Sequence, residues 1–473
     1  MTRIGIAAAI ALALTVLSVV TPSVSARQMA GLNAHLMWSG VSESEQDRQL
    51  DRIADAGAEI ARVDVGWSSL EQTAKGSYEQ WYLDQLDTVV DKADAHGVKL
   101  LITFTDSPCW ASSAPESLKQ GCDGSWWDRG VQRYPPADAR DYADALAFLV
   151  RRYGDRVAGW EIWNEPNLDY FFDSGDAPAD YARIVRAAYP AAKAADPSAT
   201  VIAGSLSEAP PDFVEKLFQH GIGGHFDAFS IHPYSGDASP LDALDGGNVK
   251  TSFARGVPAV RDVLLSHGED KPIWLTEFGW NTSTIRGAPS WMNGVDEETQ
   301  ALYTEQALTK IREWSYVSVA IVFELKDEDD AAGDRNANFG LLHHDGTAKP
   351  AYAAFRRGAL ALNTATPIDP PRPARTLQSV EEEQPEADQP QRMRVRVWLE
   401  RSARRAYARG VAEPNSVARV RAYRYLRGKE RFSRRASYAK TVSVDASGRF
   451  TRRLNKRLAH GRWRLTARYG QVA

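Results

Sequence analysis

The sequence predicts an α/β chain: a (β/α)8 barrel, then a linker, then a small all-β domain of immunoglobulin-like sandwich type. Three observations predict it. Over residues 32–361, apolar runs rich in β-formers alternate eight times with helical patterns, which marks a parallel sheet with crossover helices. Eight strands suit a closed barrel better than an open sheet. Residues 363–392 then carry six prolines and the run Glu381-Glu382-Glu383, with little apolar side chain to bury. Beyond them, short apolar-polar alternations recur at residues 395–399, 420–426, 442–444 and 463–469, each the pattern of a half-buried strand.

The first 26 residues join Arg3, an apolar run over residues 4–20 and a small-residue exit, Val24-Ser25-Ala26. That is the order of a cleaved secretory signal. The run falls slightly short of the roughly 20 uninterrupted apolar residues of a membrane span, and Thr15 and Ser18 interrupt it. Export with cleavage is expected, against a retained N-terminal anchor. With no later span, the mature protein is expected to be soluble, secreted, or held at the cell surface, with monomer as the default. The boundaries are signal 1–26, barrel 27–362, linker 363–392 and basic β-domain 393–473.

Within the barrel, strands are expected at residues 32–37, 59–65, 99–105, 157–163, 200–204, 227–231, 273–276 and 317–323. Ser42 followed by Glu45 opens one helix as a capping box, and another runs over residues 80–96 to a stop at Gly97. Cys109 and Cys122 are the only cysteines. In an oxidising compartment a bridge between them is expected, against two unrelated thiols. It would lie in the long third loop, residues 107–136, which also carries Trp126 and Trp127.

Charge divides the chain. Residues 391–473 hold 24 Lys and Arg against four acids, a net of +20, which leaves −24 for the remainder of a chain whose total is −4. Two readings of the basic tail stay open: a tether to an anionic polysaccharide or cell-envelope polymer, and a spacer whose charge balances the acidic barrel. Nucleic acid is a poor partner for an exported protein. No cofactor motif is present. His343-His344 and the acids at 327–330 match no metal-ligand spacing and read as solvated loops.

The chemistry concentrates at two strand ends. The fourth strand closes as Trp163-Asn164-Glu165-Pro166, and the seventh as Thr276-Glu277-Phe278-Gly279. Residues at the C-terminal ends of barrel strands face the cleft, and Pro166, lacking an N–H, ends pairing there. Two carboxylates at one barrel mouth suit glycosidic cleavage: one protonates the leaving oxygen and the other attacks or stabilises the anomeric carbon.

These motifs, in this order and on these strands, resemble clan A retaining glycoside hydrolases, nearest to families 39 and 5. The likeness covers roughly residues 30–362. It implies Glu165 as acid/base and Glu277 as nucleophile, with Asn164 binding the sugar 2-hydroxyl, Arg62 orienting the nucleophile, and His232 and Tyr234 in reach of the two carboxylates. Phe339-Gly340-Leu341-Leu342 through Lys349-Pro350-Ala351-Tyr352 also resembles the end of such barrels. At strand eight, where many relatives carry a tryptophan platform, this chain reads Phe323-Glu324-Leu325-Lys326; Glu324 and Lys326 are expected to make a more polar subsite that favours a charged or decorated sugar.

Among the tryptophans at strand ends, Trp67 and Trp280 are the first expected sugar walls, and His35 is divided between cleft and core. The reading is a glycosidase that hydrolyses β or equivalent equatorial bonds in a polysaccharide or oligosaccharide by double displacement. Transglycosylation by a close relative, and a catalytically silent sugar-binding or adhesion protein on the same barrel, are the alternatives.

Overall fold

The structure, a computed structural model, describes residues 27–243 and 248–364 in full, and the backbone of strand segments between residues 396 and 470. The expected signal peptide and nearly all of the expected linker lie outside the described residues. The chain divides into two units, Met1–Arg375 and Thr376–Ala473.

In the first unit eight parallel strands close into a barrel in sequence order. They are β1 (Met29–Asn33), β2 (Ile60–Gly66), β3 (Lys99–Thr105), β4 (Val157–Ile162), β5 (Val201–Ser207), β6 (Ala228–His232), β7 (Ile273–Leu275) and β8 (Val317–Val322). Closure is the pairing of β1 with β8, Gly31 opposite Ile321. Eight long helices follow the strands in turn: α1 (Glu43–Asp55), α2 (Gln80–Ala95), α3 (Ala139–Tyr153), α4 (Ala177–Ala195), α5 (Pro211–Gln219), α6 (Phe253–Ser266), α7 (Glu297–Ile311) and α8 (Pro350–Thr364). Among the described residues no helix is long and apolar enough to cross a membrane.

Most expected strands fall within a few residues of those observed, but the first begins three residues earlier than expected and stops at Asn33. Leu36 and Met37 are buried in the turn beyond it, so their apolar character reflects burial rather than extended backbone. Ser42 caps α1 by accepting from the Glu45 N–H at 3.2 Å. The other half of the capping box is not made: the Glu45 carboxylate instead takes Lys326 Nζ at 2.9 Å, along with Arg48 and Gln49. α2 ends at Ala95, with Gly97 at φ +68° turning the chain out, a conformation glycine adopts without steric cost.

Alternation along the strands sorts two environments. Ala61, Val63 and Val65 on β2, with Leu100, Ile102 and Phe104 on β3, join the main core with the surrounding helices. Ile60, Leu101, Ile202, Trp274, Val319 and Ile321 form a separate cluster inside the barrel. Gly159 makes room for it: a Cβ there would stand 2.6 Å from Ile202 and 3.2 Å from the Trp274 ring. Continuing inward along β2, β3 and β4 come Arg62, Thr103 and Glu161, a polar layer on the apolar plug.

The second unit contains antiparallel strands: a three-stranded sheet centred on residues 405–411, and a sheet in which residues 417–426 pair with 438–443 and 463–470.

Candidate active site

The end of β4 is shaped by backbone. Trp163 and Glu165 both have left-handed φ, +66° and +43°, on either side of Asn164. Such conformations cost of order 1–3 kcal/mol each for ordinary residues and persist only where the surroundings hold them. Here the Trp163 N–H donates to Phe104 O at 2.9 Å and the Glu165 N–H to Ser205 O at 2.8 Å, fixing the chain between β3 and β5 so that Asn164 and Glu165 both turn into the barrel mouth. On the opposite wall, Gly279 follows Glu277 and Phe278 where a Cβ would meet Phe323 O at 2.1 Å; only glycine lets the β7 loop pass the β8 loop so closely.

Arg62 organises the floor. It is 1% exposed, and its guanidinium donates from Nε to Glu161 at 2.9 Å, from Nη1 to Glu277 at 2.7 Å and from Nη2 to Asn164 Oδ1 at 2.8 Å. Burial disfavours its charge, but Glu161 and Glu277 outweigh that and keep it firmly protonated. Glu161 is itself fully buried; Arg62 and then His232 overcome the desolvation and hold its carboxyl below the ordinary range. Thr103 donates to it at 2.7 Å.

Glu277 also accepts from Tyr234 Oη at 2.7 Å. His232 reaches both carboxylates, with Nδ1 at 3.0 Å from Glu165 and 3.5 Å from Glu277, and its Nε2 lies 3.2 Å from Ser205. Burial pulls the His232 pKa down, yet Glu277 and Glu165 more than offset it and the net direction is up. Burial lifts the Glu277 carboxyl, with Glu165 adding to it and His232 and Arg62 opposing. One oxygen of Glu165, one of Glu277 and a ring nitrogen of His232 lie within 4.8 Å of one another.

The six residues Arg62, Asn164, Glu165, His232, Tyr234 and Glu277 are thus brought together. His35 and Glu324 lie beside them: His35 Nε2 meets Glu324 at 2.7 Å, and its ring stacks on Trp38 at 3.7 Å. Burial pushes the Glu324 carboxyl up to about 7, against the pull of His35.

Two expected sugar contacts are corrected. Trp67 is fully buried, donates to Glu71 at 2.6 Å and packs edge-on against Trp110 and Tyr142. Trp280 is 2% exposed, donates to Ala238 O and packs against Tyr303. Both are core. The aromatic walls are instead Trp38, Trp81, Trp127 and Tyr170, all exposed, around a cleft of about 810 Å³ that reaches Asn164.

Lys326 turns away to Glu45, so it supplies no polar subsite with Glu324. Nor is Asp327 a solvated loop residue: it is buried against Lys349 at 2.7 Å and caps the Gly340 N–H at 2.8 Å. Sequence reasoning missed Glu161, although an acid inside the apolar run Gly159-Trp160-Glu161-Ile162 signals an internal charge. It also missed Trp81, whose place on α2 carries no such mark.

Cys109 and Cys122 form a disulfide with Cα atoms 5.6 Å apart. Around it Ala114 and Val131 make a small core of their own, with Trp126 and Tyr134 packed on it. Among the described residues two groups could hold a metal ion by distance: Glu165, His232 and Glu277, and His35, Glu324 and Glu328.

The family described as Cellulase (glycosyl hydrolase family 5) matches residues 20–311. A β-xylosidase from Caldicellulosiruptor saccharolyticus is 26% identical over 286 residues, which is 57% of this chain and 55% of that protein. β-Glucosidase 6 of Oryza sativa subsp. japonica is 28% identical over 135 residues, 28% of this chain and 23% of its own. The chain thus matches about half or less of the length of these curated relatives. Among solved structures, a family 39 glycoside hydrolase from Bacteroides cellulosilyticus WH2 aligns at a TM-score of 0.55 with 20% identity, covering 94% of this chain and 81% of that one. A monomeric β-xylosidase from Caulobacter crescentus CB15 aligns at 0.51 with 18% identity, covering 96% and 97%. At these identities the structural likeness speaks for the fold.

Proposed function

The chain belongs to the cellulase family, glycosyl hydrolase family 5, and from that premise we propose that it is a retaining glycosidase, cleaving β or equivalent equatorial O-glycosidic bonds by double displacement. The observation that carries this reading is the approach of Glu165 and Glu277, with oxygens within 4.8 Å at the ends of β4 and β7. Retaining enzymes hold their carboxyl groups about 5–5.5 Å apart, whereas inverting ones leave roughly 6.5–9.5 Å for a water.

Two carboxylates so close share protons unequally. Glu277 accepts from Arg62, which has only donors, and from Tyr234, so it is the ionised nucleophile. Glu165, facing it, takes the acid/base role. In the first step Glu165 protonates the leaving oxygen while Glu277 attacks the anomeric carbon; the glycosidic C–O bond breaks and a glycosyl ester forms. In the second step Glu165 takes a proton from water, which attacks the same carbon and releases Glu277. Asn164 gives its carbonyl to Arg62, which turns its NH2 toward the sugar, where it binds the 2-hydroxyl. His232 keeps Glu165 in place between the steps.

The relatives named β-xylosidase and β-glucosidase make xylosides and glucosides the first substrates to try. The same reading takes residues 1–26 as a cleaved export signal, 363–392 as a linker, and the basic unit after it as an immunoglobulin-like sandwich that tethers the enzyme to an anionic envelope polymer. Loss of binding to acidic polymers with rising salt checks the tether.

The experiment is hydrolysis of aryl β-glycosides by the wild type, Glu165→Ala and Glu277→Ala, with and without azide. Each variant is expected to lose about 10²–10⁴-fold or more in kcat on substrates that need the missing group. Azide should give a β-glycosyl azide with Glu165→Ala and an α-glycosyl azide with Glu277→Ala. Full activity in Glu277→Ala overturns the pair. A wild type that binds glycans and cleaves none returns the silent binding protein.

A further inference from the structure

Toward Trp38 the cleft is lined by two acids, Asp64 and Asp106, and two more, Glu324 and Glu328, stand on His35, whose ring stacks on Trp38. Glu324 is 1% exposed, and its Oε1 is buried with no hydrogen-bond partner; its Oε2 takes His35. Glu328 stands 3.8 Å from the same imidazole nitrogen. On the other side of Trp38, whose ring stacks on His35, Asp64 and Asp106 line the cleft together. Asp64 Oδ1 is buried without a hydrogen-bond donor; the Arg62 guanidinium is 3.7 Å from it and already engaged with Glu161, Glu277 and Asn164. Asp106 is half-buried, with Asp64 as its charged neighbour. Three of these carboxylates, Glu324, Glu328 and Asp64, therefore act on one imidazole, and Asp106 stands beside Asp64. The other cation of the cleft, Arg133, lies over the Tyr170 ring at 5.6 Å, and Lys326, the cation expected next to Glu324, is turned to Glu45.

A buried carboxylate oxygen with no donor costs stability in the free protein. Hydroxyls of any sugar in the cleft would bond the accessible part of Asp64, whose side chain is 37% exposed, and of half-buried Asp106, but hydroxyls do not balance the charge. A protonated amine does both, with three donors on one positive centre. The exposed faces of Trp38 and Trp127 then cover the apolar faces of the ring and add cation-π attraction.

Resting on the glycosidase reading, we infer that the subsite between Trp38 and the catalytic pair selects a sugar that carries a free, protonated amino group, so that the substrate is a polymer or oligomer containing de-N-acetylated hexosamine. Neutral sugars and N-acetylated hexosamines fit less well, and uronic acids are repelled.

The test is calorimetric binding to the full chain with Glu165→Gln, which keeps ligands intact, in EDTA so that no divalent cation fills the same oxygens. The probes are the β-1,4 glucosamine tetramer, its fully N-acetylated counterpart and the β-1,4 glucose tetramer, with the corresponding pair from galactosamine. At least one free-amine oligomer is expected to bind about tenfold or more tightly than its acetylated partner, a difference of about 1.4 kcal/mol. Asp106→Asn, added to the same chain, should shrink that preference to about threefold or less while leaving the neutral tetramer within about threefold. Asparagine tolerates the left-handed φ of +68° at this position, so the variant keeps its backbone. Equal or tighter binding of the acetylated members of both pairs overturns the inference. So does a preference that survives Asp106→Asn, since it would then belong to the acidity of the chain at large. Hydrolysis by the wild type is read separately: its failure sinks the reaction, not the ranking of ligands.

Discussion

On one side of the cleft Arg62 donates to Glu161, Glu277 and Asn164 from three of its nitrogens, whereas on the other Asp64 and Asp106 line the cleft with no cation in hydrogen-bond reach among the described residues. The two sides are adjacent and comparably acidic, so the difference is one of pairing. Groups that must stand ready before substrate arrives are fixed by mutual bonds, because orienting them at the moment of reaction would raise the barrier. Groups whose work is recognition are left open, and their cost is relieved only when a ligand supplies the donors.

The comparison breaks first at Glu161. Replacing it with alanine leaves the Arg62 charge short of a buried partner, and such a loss costs about 3–5 kcal/mol. Denaturant unfolding should show it, with kcat on aryl glycosides falling about 100-fold or more as Arg62 releases Glu277 and Asn164. A loss under about 1 kcal/mol would mean that the Arg62 side is not held together as described.

The open side should respond in the opposite direction. Burial, with Asp64 adding to it, pushes the Asp106 carboxyl up to about 7, well above the roughly 3.9 of an unfolded chain. The native state therefore holds this proton more tightly than the unfolded one. Its contribution to stability is present at acid pH and is lost as pH rises through about 7. Asp106→Asn removes the charge that is penalised above that pH. Thermal melts should show a gain of about 2–4 °C at pH 8 and a smaller one at pH 5, since the penalty builds as pH rises from about 3.9 to about 7. A loss at pH 8 would mean that the carboxylate is satisfied after all.

The smallest effect is expected at Lys326. Its pair with Glu45 is partly exposed, and such pairs are worth about 0–1 kcal/mol. Lys326→Ala should leave both stability and the ranking of sugar ligands nearly unchanged. A shift in that ranking would bring this cation back into the cleft.

The Arg62 side was largely legible in the sequence. Asn164-Glu165-Pro166 and Thr276-Glu277 are short linear motifs at strand ends, and a barrel carries strand ends to one mouth whatever its loops do. Arg62, His232 and Tyr234 came with the resemblance to clan A glycoside hydrolases that those motifs carry. The walls were not legible in this way. Trp67 and Trp280 sit next to the motifs, but the face that a side chain takes beyond a strand depends on the local turn, and both rotate into the core. Trp81 reaches the cleft from α2, and no local pattern distinguishes it from any other helical aromatic. The Lys326–Glu45 pair joins residues 281 apart in sequence, a separation at which periodicity carries no information. Leu36 and Met37 extended the first strand on paper because an apolar run records burial before it records conformation.

The bridge between Cys109 and Cys122 separates two stages of maturation. Closing the barrel brings Glu165 and Glu277 together, because both follow within three residues of a strand end and the turn beyond β4 is held by its own backbone bonds. The loop that presents Trp127 owes its shape to a cluster organised around a covalent bond between sulfurs, so that wall is complete only after an oxidant has acted. A chain folded under reducing conditions is expected to bring the two carboxylates together while leaving the loop that carries Trp127 without its covalent tie, and the step that finishes it is electron transfer rather than folding.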